Sequence, residues 1–303
     1  MLSTFGFLLG FANGYLHWGF AIDLIALGVI QGVAGAFLFG PCINLIPTYF
    51  RQENKAFATG ITTCGSPAGA IVYSYLIHIL IDNFGWRGTL PFFALGSALI
   101  LLAGLTFVPK VPATYERLED GPVCERLRKE FETIFNRELF GDPIFITLLV
   151  ALIFSILSFF VPTLLIVEQA HDPQYGVSRP VLRLLILFWG IAQLLGRLFV
   201  GWLADFGRYC VVFSSLSLFV IGLILSSILM LVFPHVMIYG DAAFITFVCI
   251  YGFISAPFIT LRSTMVQDLY YEKQNLIASS FGWCLSAEGM VIVAGFYLPS
   301  KLH

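Results

Sequence analysis

Two side chains carry charge where an apolar chain has least use for it. Arg197 sits in "IAQLLGRLFVGWLADFGR", residues 191–208, seven residues inside the end of an apolar run, and Glu288 sits in "CLSAEGMVIVAG" near the centre of another. A guanidinium in hydrocarbon costs anywhere from roughly 3 to more than 10 kcal/mol unless it is paired or hydrated. Arg197 must therefore face a partner or a water-filled cavity, or else snorkel toward the interface about 10 Å away at the Asp205 end of its run. Its chemistry suits an anion, because guanidinium holds a carboxylate through two parallel hydrogen bonds and stays charged at any working pH. Glu288 lies too deep to snorkel. It can pair with Arg197, take up a proton, or stay protonated and structural.

Other polar groups are weaker candidates. Arg262 and Asp268, six residues apart, suit either an inner gate or interfacial snorkelling, and snorkelling is the simpler reading for Arg262. Asn44, Tyr73, Tyr75 and His78 offer polar groups to a site, or else hydrogen bonds between helices. On a helical wheel Gly190, Gln193, Arg197, Gly201 and Ala204 share one small or polar face, which is expected to line a cavity. The turn "ADFGR" that closes the run reads as a latch. Asp205 can accept hydrogen bonds from the exposed N–H groups of a neighbouring helix and complement its positive end. Gly201 and Gly207 permit close approach and a tight turn, and Arg208 stays with the charged loop.

The elements that must position these residues follow from composition. The chain has 303 residues, 58% hydrophobic and 11% charged, with mean hydropathy +0.89, far from the roughly 25% charge of soluble domains. An all-α, polytopic transmembrane bundle is expected. Nine spans run from charge cluster to charge cluster: 2–16, 21–48, 56–81, 89–108, 143–168, 180–204, 210–233, 241–268 and 275–298. They divide into an N-terminal bundle at 1–108, a cytoplasmic linker at 109–142 and a C-terminal bundle at 143–303. Within the linker, Leu127, Phe131, Ile134 and Phe135 repeat at helical spacing, as in a helix on the membrane surface or an ordinary charged linker helix. With the linker inside, the short loops place ten Lys and Arg on its side and three on the other.

Net charge is −2, which gives no reason to expect a nucleic-acid partner. The cysteines (Cys42, Cys64, Cys124, Cys210, Cys249 and Cys284) show no metal or CxxC spacing and read as reduced packing residues, so no metal or cofactor is expected. HExxH, GxSxG and paired intramembrane aspartates are missing from the sequence, and enzymatic chemistry is not expected.

Two segments look like copies. "YFRQENKAFATGI" from Tyr49 and "YYEKQNLIASSFG" from Tyr270 each follow a long apolar helix, carry a charged turn and re-enter through small residues, as in transporters built from parallel repeats. In detail, "PTYFRQENKAFATGITTCGSPAG", "FGWRGTL" and "GWLADFGR" resemble the major facilitator superfamily, and within it the monocarboxylate transporter branch with its fungal relatives. The resemblance implies a twelve-helix carrier of which the nine spans are helices three to eleven, and hence a truncated chain. It implies a secondary carrier of a small organic anion, a monocarboxylate above all, working by alternating access in the lipid bilayer, most simply the plasma membrane. The alternative is a non-transporting or accessory protein derived from such a carrier. Arg197 matches the arginine that the resemblance assigns to the substrate carboxylate, and Glu288 and Asn44 join it as substrate-binding candidates. Gly201, Asp205, Gly207 and Arg208 form the conformational latch. Proton-coupled members carry an aspartate one turn before the arginine, where this chain has Gln193, so any proton coupling would need another carrier such as Glu288.

Overall fold

The computed structural model describes residues 1–16, 19–50, 54–105, 137–171, 179–207, 210, 213–270 and 273–297. Among them the chain is helical, without strands, as its long apolar segments require: inside a bilayer every backbone N–H and C=O must be satisfied within the segment. Helix α1 is Leu2–Leu16, α2 is Phe20–Asp23, a π-helical stretch covers Leu24–Ile30, and α3 is Gln31–Tyr49. Helices α4 (Lys55–Thr63), α5 (Gly65–Gly88) and α6 (Leu90–Leu105) follow. After the linker come α7 (Arg137–Gly141), α8 (Pro143–His171), α9 (Arg179–Phe206), α10 (Ser215–Val236), α11 (Asp241–Ile254), α12 (Pro257–Thr260), α13 (Arg262–Leu269) and α14 (Gln274–Tyr297).

Among the described residues seven stretches are long and apolar enough to cross a membrane. They account for seven of the nine expected spans; the other two are α1 and α6, apolar helices of 15 and 16 residues. The linker expectation through Leu127, Phe131, Ile134 and Phe135 lies outside the described residues. Three spans differ from plain helices. The second passes through the π-helical stretch, the third is interrupted at Cys64 between α4 and α5, and the eighth breaks after Ile254 and again at Leu261. Pro257 explains the first break: it offers no N–H to the preceding turn and its ring crowds the carbonyl four residues back.

The chain forms two compact units, one from Met1–Cys42 with Tyr75–Ile134, the other from Ile43–Ser74 with Phe135–His303. In the first, α1 packs against α6 and the π-helical stretch. Gly6 and Gly10 let it do so: a Cβ on Gly6 would stand 2.8 Å from the Ala26 carbonyl oxygen. Polar clasps join the same elements, Ser3 donating to Gln31 at 2.6 Å and Thr4 sharing a 3.0 Å hydrogen bond with Ser97.

In the second unit, α9 is the central pillar, flanked by α4 and α11. The α4 contact is backbone against backbone, with Gly60 and Gly201 facing each other; a Cβ on Gly201 would lie 2.8 Å from the Ala56 oxygen. The face of Gly190, Gln193, Arg197, Gly201 and Ala204 is thus buried against α4 and the start of α5 rather than open to a cavity. Small residues that suit a cavity wall suit a close helix crossing equally well. An aromatic core supports the pillar: Phe258 on α12 meets Phe159 of α8 and Phe219 of α10 edge-on, at centroid distances of 6.4 and 5.7 Å.

Gly196 marks the α11 contact, its missing Cβ lying 2.6 Å from the Phe253 oxygen and 2.8 Å from Ala256 Cβ. Gly196→Val should destabilise the unit by about 1–3 kcal/mol through overpacking, read as a lower thermal unfolding midpoint in detergent. Gly282→Ala, where an added Cβ meets nothing within 4 Å, should leave that midpoint unchanged or raise it.

Candidate functional site

Of the four residues expected to form a latch, Asp205 and Gly201 meet the start of α4. Asn54 precedes that helix without a side-chain cap, leaving its first N–H groups open. Asp205, from the last turn of α9, fills the vacancy: Ala56 N–H donates to Oδ1 at 3.1 Å and Phe57 N–H to Oδ2 at 2.7 Å. Its charge lies at the positive end of the α4 dipole, so one carboxylate caps and compensates at once. Gly201, one turn earlier, brings the helices close enough for this reach. Gly207 closes the turn, and a Cβ there would collide with Phe213 Cβ. Arg208 lies outside the described residues. Lys55, also at the start of α4, pairs with Asp268 of α13 at 2.5 Å. Asp268, one of the two residues considered for an inner gate, thus answers to Lys55.

Arg197 is 2% exposed and does not snorkel. The protein supplies its hydration shell instead. Nη1 donates to the carbonyl of Thr63 at the end of α4, and Nε donates to Gln193 Oε1 at 3.1 Å, one turn earlier on α9. Gln193 then donates to Ser255 Oγ at 2.7 Å, at the break between α11 and α12. All these groups are neutral, and among the described residues Arg197 forms no salt bridge. The arrangement is a desolvated, hydrogen-bonded positive charge held by dipoles, with room in its chemistry for an anion.

Glu288 does not pair with Arg197. It accepts from Nη1 of Arg262, and both side chains are about 5% exposed. The guanidinium of Arg262 also lies 5.8 Å from the Phe281 ring centroid. Arg262 is therefore buried and not at the interface: the breaks at Ser255 and Leu261 turn the chain so that the first residue of α13 points into the bundle. Nearby, Thr260 Oγ1 and Ser263 Oγ are buried without hydrogen-bond partners. Asn44 falls on α3, and its side chain lies outside the described residues. Tyr75 and His78 are exposed on α5. Sequence reasoning missed Thr63, Ser255 and Lys55. A "SAP" triplet inside an apolar run was the available signal for Ser255, since Pro257 frees backbone groups that a hydroxyl can serve.

Stacked apolar helices, a broken one among them, with buried charges facing the bundle interior, define an integral multi-pass membrane protein. A sequence model described as Major Facilitator Superfamily matches residues 1–295, and the chain belongs to that superfamily. It is 26% identical over 277 residues to "MFS-type transporter 1" of Ophiocordyceps sp. (strain BCC 1869), covering 89% of this chain and 55% of that protein. It is 25% identical over 296 residues to "Monocarboxylate transporter 12" of Rattus norvegicus, covering 89% of this chain and 57% of the relative. With "Monocarboxylate transporter 10" of Homo sapiens the identity is 25% over 251 residues, 81% of this chain and 47% of the relative. The chain thus spans about half the length of the curated relatives it matches.

Asp205→Ala strips two N–H groups of their acceptor and should cost about 1–2 kcal/mol, read as faster amide hydrogen exchange at the start of α4. Glu288→Gln leaves the Arg262 charge buried without its counter-charge and should cost about 3–5 kcal/mol in unfolding free energy. The double change Arg262→Met with Glu288→Leu should restore most of that loss.

Proposed function

We propose that the protein is a secondary carrier of a small organic anion, a monocarboxylate in the first instance, and that Arg197 is the fixed charge that receives the carboxylate. The observation that carries the reading is the environment of Arg197: deeply buried, hydrogen-bonded by Thr63 and Gln193, and free of any salt bridge among the described residues. A carboxylate arriving beside it supplies the missing counter-charge in a low-dielectric setting, where that attraction is strongest. Membership of a transporter superfamily and similarity to proteins named as monocarboxylate transporters support the same reading.

Alternating access gives the latch its role. Asp205 ties α9 to the start of α4, and Lys55 ties α4 to α13, so these polar contacts hold α4, α9 and α13 in one arrangement. Their release lets the helices part, and the close face of Gly190, Arg197 and Gly201 then opens to the substrate. Gln193 takes up no proton, so Glu288, held by Arg262, is the carboxylate through which proton coupling would run. In this reading the domains are the N-terminal bundle 1–108, the linker 109–142 and the C-terminal bundle 143–303, in the plasma membrane. Asn44 contributes to the binding site from the first of these.

The test is uptake of a labelled monocarboxylate into proteoliposomes containing the full-length protein. Arg197→Lys keeps the charge but loses the two-point grip, and saturable uptake should fall by about tenfold or more, while Tyr75→Phe, on an exposed position, should transport as the parent does. Uptake unchanged in Arg197→Lys would remove Arg197 from the binding role.

A further inference from the structure

The first unit holds a cavity of about 610 Å3 whose lining includes Asn13, Gly19, Phe20, Asp23, Leu24 and Arg87. It lies where α1 ends, α2 begins and α5 closes, so its polar groups stand at helix ends while Leu24, Leu27 and Gly28 come from the π-helical stretch. Gly19, in its lining, has a φ of +107°, a conformation that side chains rarely adopt.

Three polar side chains in this cavity are poised for a ligand. Asn13 is 3% exposed; its Nδ2 donates to the Gly19 carbonyl at 3.0 Å, which fixes the amide and leaves Oδ1 buried with no partner. Asp23 likewise has a buried Oδ1 without a partner. A buried acceptor left unmade costs about 1–3 kcal/mol, so two beside one cavity ask for a ligand with N–H or O–H donors. Arg87, opposite in charge to Asp23, forms no salt bridge with it. Arg87 is instead held in place by the Gly14 carbonyl at 3.2 Å and by stacking 5.0 Å from the Trp86 ring centroid, with further N–H groups to offer. Beside these charges Phe20 and Leu24 are 81% and 60% exposed, an apolar flank fit for a hydrocarbon chain.

We infer that this cavity binds an ethanolamine-phosphate zwitterion, its primary ammonium donating to Asn13 Oδ1 and Asp23 and its phosphate accepting from Arg87. The ligand comes either as the headgroup of a phosphatidylethanolamine, whose acyl chain covers Phe20 and Leu24, or as free phosphoethanolamine. The site belongs to the first unit alone and shares no residue with the proposed carboxylate site, so it stands whether or not that assignment does.

The donor requirement gives the test. Full-length protein in nanodiscs of mixed phosphatidylethanolamine and phosphatidylcholine is released and weighed intact by native mass spectrometry. A trimethylammonium has no N–H to donate, so phosphatidylethanolamine should be retained selectively over phosphatidylcholine. Asp23→Asn should reduce that selectivity about tenfold, by loss of a charge-assisted hydrogen bond. Gly28→Leu should do the same by filling the cavity, its Cβ meeting only Leu24 Cδ1 at 3.9 Å. Calorimetric titration with phosphoethanolamine and phosphocholine separates the sources. Selective binding of free phosphoethanolamine supports the site with a soluble ligand; selectivity for the lipid alone supports it with the acyl chain as part of the ligand. Equal retention of the two lipids together with no preference between the two free headgroups overturns the proposal, as does unchanged selectivity in both variants.

Discussion

A guanidinium cannot enter a bilayer unless something takes the place of water, and the second unit is arranged around that requirement at Arg197. Its shell comes from three separate elements: the last turn of α4 through the Thr63 carbonyl, α9 itself through Gln193, and the break after α11 through Ser255, which holds Gln193 in place. Each contributor needs the others. The Thr63 carbonyl is within reach only because Gly60 and Gly201 let α4 and α9 touch backbone to backbone, and Gln193 is fixed only because the chain breaks at Ser255. The dense packing of α9 is thus a consequence of the charge as much as of hydrophobic matching.

Much of this was legible in the sequence, for physical reasons that vary by feature. Spans were readable because a hydrocarbon slab imposes length and composition directly, and Asp205 was readable because a carboxylate at a helix end next to small residues has few other uses. Ion-pair partners were not. Glu288 was open to Arg197, yet it meets Arg262, and Asp268 meets Lys55, more than 200 residues away in sequence. Periodicity tells which face a residue occupies and says nothing of which helix stands opposite. Arg262 shows the cost: near a span end, snorkelling was the simpler reading, and only the breaks at Ser255 and Leu261 turn it inward.

The same limit explains the small-residue face of α9. Glycine and alanine on one side of a helix are compatible with a cavity wall and with a close crossing, since both need the absence of side chains. The structure takes the crossing, and Arg197 is sealed by it. On the carrier reading proposed above, crossing and cavity would be two arrangements of one surface. A face made of small residues is cheap to separate, because little interdigitated side-chain volume is lost, and what then holds it shut is polar: the Arg197–Thr63 hydrogen bond within it, the Asp205 cap and the Lys55–Asp268 pair at the ends of α4 and α13.

That division of labour favours a switch over a fixed scaffold. Interdigitated apolar cores resist small displacements in every direction, whereas hydrogen bonds and ion pairs at helix ends are made or lost within about an ångström and are readily exchanged for water. The second unit keeps the first kind of contact where Phe159, Phe219 and Phe258 meet, and the second kind where α4 meets α9 and α13. Arg262 and Glu288 stand at the junction between them, on the helix that begins after the break and the helix it packs against. Neutralising Glu288 would leave a buried cation whose best recourse is to draw α13 toward water, and α13 is the helix to which Lys55 ties α4. On the proposed carrier reading, a change of charge at Glu288 would therefore reach the contact that seals Arg197 through two ion pairs and one short helix.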